Sequence, residues 1–95
     1  MLSINKVAGK SMSPYIPSGS YLIFHHLVYR RLLKRGNIVK VKHPNYGLIV
    51  KKITEVDQQG YYWLEGLHAE SITSSEIGAI SLNMISGIVV FTIKN

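Results

Sequence analysis

The chain has 95 residues, enough for one compact domain spanning 1–95 and too few for two. Hydrophobic residues make up 46%, which excludes a disordered chain, and the absence of cysteine excludes a disulfide framework, a thiolate metal site and a thiol nucleophile. Eleven lysines and arginines against five acids give a net charge of +6, which favours acidic partners: nucleic acid, anionic lipid or an acidic peptide.

In chain order, Ser3–Ala8 reads as a short strand that runs into the turn-forming Gly9-Lys10-Ser11-Met12-Ser13-Pro14. A second turn at Pro17-Ser18-Gly19-Ser20 precedes a strand over Tyr21–Val28. Val28–Lys34 has the length and composition of a short helix, the one helical segment expected. The turn Arg35-Gly36-Asn37 leads into a strand at Ile38–His43, and His43-Pro44-Asn45 into another at Leu48–Val56. Asp57-Gln58-Gln59-Gly60 turns the chain into Tyr61–Gly66, and Ser86-Gly87 reads as a turn before a last strand at Ile88–Ile93. Short β-branched and aromatic runs with brief connections pair mostly as antiparallel neighbours. The expected fold is all-β: a partly open antiparallel barrel or sheet with active loops at its ends and at most one short helix.

The longest apolar run, Ile85–Ile93, falls far short of the roughly 20 residues a bilayer span needs. Met1–Ala8 carries no charged-then-apolar leader, so the expectation is a cytoplasmic domain without a transmembrane anchor. Arg30, Arg31, Lys34 and Arg35 form a basic cluster. Composition makes it a solvated loop or helix; its functional reading is peripheral contact with an acidic membrane surface or a substrate.

Ser11 follows a strand end and a glycine in a turn that Pro14 fixes. Such a turn can expose a hydroxyl beside a free backbone N–H, as a nucleophile with an oxyanion donor requires. Four histidines could serve as its base: His25, His26, His43 and His68. None has a recognisable acidic orienter, although Glu65, Glu70 and Glu76 lie near His68 in sequence. His25 and His26 alternate across a strand and cannot chelate one metal together. Lysine is the other candidate, because burial lowers its usual value of about 10.4 by disfavouring the ammonium. In Gly47-Leu48-Ile49-Val50-Lys51-Lys52-Ile53-Thr54, alternation puts Lys51 on the face of Ile49 and Ile53, and Lys52 on that of Val50 and Thr54. The apolar flanks favour Lys51 as the inward lysine, against the alternative that the pair guards an edge strand.

Together these segments resemble the type I signal peptidase family and its relatives, the SOS-type repressor autoproteases. The ordered set is Gly9-Lys10-Ser11-Met12-Ser13-Pro14, Gly19-Ser20, Gly36-Asn37-Ile38-Val39, Ile49-Val50-Lys51-Lys52-Ile53, Gly66-Leu67-His68, and Ser71 through Ile80. The short chain and His43-Pro44 look most like the soluble maturation proteases of nickel-type superoxide dismutase. The resemblance implies a Ser/Lys dyad with Ser11 as nucleophile, Lys51 as general base and Ser71 orienting the lysine amine. It places Gly9 and the Ser11 N–H at the oxyanion site and Met12 in the cleft, with no metal or other cofactor. The implied activity is removal of an N-terminal leader from a partner protein. This sequence departs from the family where Ser20 and Asn37 replace aspartates, where Leu67-His68 replaces Asp-Asn, and where Thr73 and Ser75 replace an Asp/Arg pair. Those departures raise an alternative, a catalytically idle peptide-binding module on the same fold. A basic barrel binding single-stranded nucleic acid through Tyr61, Tyr62 and Trp63 is disfavoured, since alternation sends Tyr62 to the opposite face from its neighbours.

Overall fold

Period-two alternation of apolar side chains decides both the strands and the two faces of the sheet they make. The computed structural model describes residues 1–7, 16–66 and 73–94. Their strands are β1 (Leu2–Lys6), β2 (Tyr21–His25), β3 (Ile38–His43), β4 (Gly47–Val56), β5 (Tyr62–Glu65) and β6 (Ile85–Ile93). They form one open six-stranded sheet in the order β1-β2-β6-β3-β4-β5, each neighbouring pair antiparallel. The all-β expectation holds, in its open-sheet form.

Val39, Val41, Ile53, Leu64 and Ile88 line one face, where Leu33, Ile77 and Ile80 close over them. On the other face Leu22 and Phe24 pack with Ile16, flanked by Val7, Ile38, Val50 and Val89. Adjacent residues thus feed opposite clusters, Ile38 and Val39 being the clearest case.

The hairpins follow their turn residues. Gly47 (φ 70°) and Gly60 (φ 86°) take the left-handed conformation that an L side chain resists. At the β4–β5 turn, Asp57 accepts from the backbone N–H groups of Gln59 (3.0 Å) and Tyr61 (2.9 Å) and from Trp63 Nε1 (3.0 Å). Those donors, Trp63 foremost, hold its carboxyl below the usual carboxylate value.

Two expectations need correction. Val28–Lys34 is not a helix: only Arg30–Leu32 form a single 3-10 turn, because Leu33 drops into the first cluster instead of continuing a helical face. Among the described residues the α-helix is α1 (Ser74–Ile77), started by a capping box in which Thr73 and Glu76 satisfy each other's backbone N–H groups. Nor is Ser86-Gly87 a turn. Both residues lie inside β6, where the register against β3 slips between Val41↔Ile85 and Lys40↔Gly87. Strand ends shift by a few residues elsewhere, β2 stopping at His25 and β6 starting at Ile85.

Phe24 is fully buried whereas Leu48 is 61% exposed, so their truncations should differ sharply. Phe24→Ala is expected to cost about 3–5 kcal/mol in urea unfolding, and Leu48→Ala no more than about 0.5 kcal/mol. Equal costs would contradict the assignment of the second cluster.

Candidate active site

Lys51 sits in the middle of β4, hydrogen-bonded neighbour to the interior strand β3, and directly opposite Val39. Ile49 and Ile53 flank it on the same face and belong to the first cluster or pack against it. Only 4% of its surface meets solvent. Burial strips water from the ammonium and lowers its pKa, and no carboxylate or hydrogen bond among the described residues offsets that loss. The inward lysine of the pair is therefore Lys51. Lys52 is half-buried on the opposite face, across from Ile38 on β3 and Glu65 on β5.

Among the described residues, the strand beside the amine is unpaired on one side. β5 pairs with β4 only from Lys52 to Val56, starting at the Lys52↔Glu65 pair. The Gly47–Lys51 half of β4 has β3 on one side and no described strand on the other. Leu48 is exposed there and lines a groove with Pro44 and Met84. This open edge was not singled out from the sequence. Its signal is a mismatch in length: β4 has ten residues and β5 four.

Ser11, Gly9, Met12 and Ser71 lie outside the described residues, as do Leu67 and His68. The ends of the Ser11 segment are fixed: Val7 N–H donates to the Ser20 carbonyl (2.7 Å) and Gly19 N–H to the Val7 carbonyl (2.8 Å). Val7 and Ile16 both pack in the second cluster, on the face of β4 that carries Val50 and Lys52. Both described flanks of the Ser11 segment therefore lie on the side of the sheet away from Lys51.

Thr73 and Ser75 are the residues at which the resemblance would call for an ion pair. Here the Thr73 hydroxyl accepts from Glu76 N–H (3.3 Å) and donates to the Glu76 carboxylate (2.8 Å), so the position serves the start of α1. The signature Thr-x-x-Glu was present in the sequence and could have located this helix.

The described histidines have separate structural tasks. His43 is buried; its Nε2–H donates to the Ile77 carbonyl (2.7 Å), and Nδ1 accepts from the N–H groups of Asn45 (3.0 Å) and Tyr46 (3.3 Å). It ties the end of α1 to the β3–β4 turn. His26 Nδ1–H donates to the Ser86 carbonyl (3.1 Å) while Nε2 accepts from the Ser3 hydroxyl (2.7 Å), and His25 Nδ1 accepts from Leu27 N–H (3.1 Å). Among the described residues no three His, Cys, Asp or Glu side chains form a metal-ligating group. Tyr62 is buried in the first cluster and the Trp63 ring is held by Asp57, so these two rings are committed to packing and to the turn. Neither protein-family models nor curated proteins give a match to the chain.

Lys51→Met keeps the aliphatic volume and removes the ammonium. The folded-state pKa of Lys51 is lowered, so between that value and about 10.4 the unfolded chain holds a proton that the folded chain lacks. Stability contributed by this site accordingly rises with pH across the window. Urea unfolding should show Lys51→Met more stable than wild type at neutral pH, with the difference shrinking as pH rises. A pH-independent difference would contradict a buried, titrating Lys51.

Proposed function

We propose that this chain is a serine endopeptidase of the signal-peptidase kind, removing the N-terminal leader of a partner protein. The observation that carries the reading is Lys51: a buried lysine of β4, its pKa lowered by desolvation, with no acid paired to it among the described residues. An ordinary structural role gives little reason to keep such a group, whereas a general base working near neutral pH requires one. The ordered resemblance around Ser11, Lys51 and Ser71 supplies the other participants.

In this mechanism neutral Lys51 takes the Ser11 proton as the hydroxyl attacks the scissile carbonyl. The resulting ammonium gives that proton to the leaving amine. Water then attacks the acyl-enzyme, again through Lys51, releasing the acid and restoring Ser11. Ser71 positions the amine, and the Ser11 N–H stabilises the oxyanion beside Gly9, with Met12 shaping the cleft. The open edge of β4 over Gly47–Val50 offers main-chain hydrogen bonds to an extended peptide next to Lys51.

A second reading, an idle peptide-binding module, draws on Thr73. Its use as a helix cap leaves the resembled ion pair without a counterpart. The same open edge would then hold peptide uncut.

A fluorophosphonate probe separates the two. Wild type is expected to label at Ser11, faster as pH rises and Lys51 loses its proton. Ser11→Ala should abolish labelling, Lys51→Ala should slow it by about 10²–10⁴-fold, and Lys52→Gln should leave it nearly unchanged. No labelling of wild type favours the idle module. Loss of labelling in Lys52→Gln with retention in Lys51→Ala would move the base to the other face.

A further inference from the structure

The segment from Leu27 to Asn37 packs on the first cluster through Val28 and Leu33, and a cleft of about 300 Å³ lies between it and strands β2 and β6. The apolar walls are Leu27, Leu32, Ile88 and Val90; the polar groups are His25 and Asn37. Ile88 is buried, whereas Leu27, Leu32 and Val90 are each about half exposed. The segment is held from several sides. Leu33 is buried, Asn37 Oδ1 accepts from Lys34 N–H (2.6 Å), and Arg30 Nη1 donates to the Gly60 carbonyl (3.2 Å). A concave, mostly apolar space between fixed walls, with a few polar groups, is the form a small-molecule site takes.

The two polar side chains have only donors left to offer. His25 Nδ1 accepts from Leu27 N–H (3.1 Å), so the proton of the neutral ring stands on Nε2. The Asn37 side-chain carbonyl is taken by Lys34, which leaves its NH₂ group. Among the described residues neither donor has a protein partner. A ligand amine would find both of these acceptors already used, whereas a carboxylate would find two donors. Charge points the same way. The strands β2, β3 and β6 and the whole Leu27–Asn37 segment contain no acid, and that segment carries the exposed bases Arg31, Lys34 and Arg35. Arg30 is the exception: its contact with Gly60 commits it to the turn that holds Asp57, and it pins the segment instead of charging the cleft. The local field therefore favours an anion.

We propose that this cleft binds a small carboxylic acid with an apolar body, of the aryl-alkanoate class. The carboxylate accepts from His25 Nε2–H and the Asn37 amide, and the body lies against Leu27, Leu32, Ile88 and Val90. The site uses neither Ser11 nor Lys51, and β3 runs between Ile88 and Lys51. An NMR titration of the isotope-labelled full chain tests it, with phenylbutyrate, its neutral amide phenylbutyramide and its cationic counterpart phenylbutylamine as probes. Phenylbutyrate is expected to give saturable shifts centred on the backbone amides of Leu27, Leu32, Ile88 and Val90. Phenylbutyramide should bind more weakly, and phenylbutylamine at least about tenfold more weakly. Asn37→Asp keeps the oxygen that caps Lys34 and removes the NH₂ donor, so it should weaken phenylbutyrate by about tenfold or more. Leu32→Ala, at a half-exposed position, should weaken it by about threefold. The spectrum of each variant reports whether it folds; if Asn37→Asp does not, Leu32→Ala and the three-probe comparison decide. Absence of saturable shifts, shifts centred elsewhere, phenylbutylamine binding as tightly as phenylbutyrate, or undiminished binding by a folded variant overturns the proposal.

Discussion

Taking the Lys51 ammonium out of water is the constraint around which this fold is arranged. Burial disfavours a charge in that position and lowers the Lys51 pKa. The surrounding chain makes the position unavoidable. Alternation along β4 sends residue 51 to the face of Ile49 and Ile53, and the register with β3 sets it against Val39. Turning it outward would require a one-residue slip that exposes Ile53 and buries Thr54. The strand is therefore stable only with the lysine inside, and the amine answers by giving up its proton more readily.

That logic was legible because it depends on period two. Ile38–His43 was found to the residue, and the choice of Lys51 over Lys52 followed from its apolar flanks. What escaped depended on contacts between distant segments. Leu33 reads as one more apolar residue of a basic helix, yet it is buried in the first cluster and the helix stops after one turn. Ser86-Gly87 has turn composition, but β6 is held on both sides by β2 and β3 and absorbs the pair as a bulge. The order β1-β2-β6-β3-β4-β5 joins β6 to strands far from it in sequence, which no local pattern encodes.

The candidate site shares this division. The inward placement of Lys51 is fixed by strand alternation, whereas the unpaired stretch of β4 among the described residues follows from the shortness of β5, which pairs only beyond Lys51. His43 gives the site a second tie, linking the β3–β4 turn to the end of α1 and so to the part of the chain that follows Ser71.

The most direct test of a buried, proton-shedding Lys51 is an NMR titration of the lysine ε-CH₂ and amine signals, with Lys51→Met to assign the resonance. The amine at this position is predicted to titrate below the ordinary lysine value of about 10.4. Titration at that ordinary value would contradict its role as a neutral base.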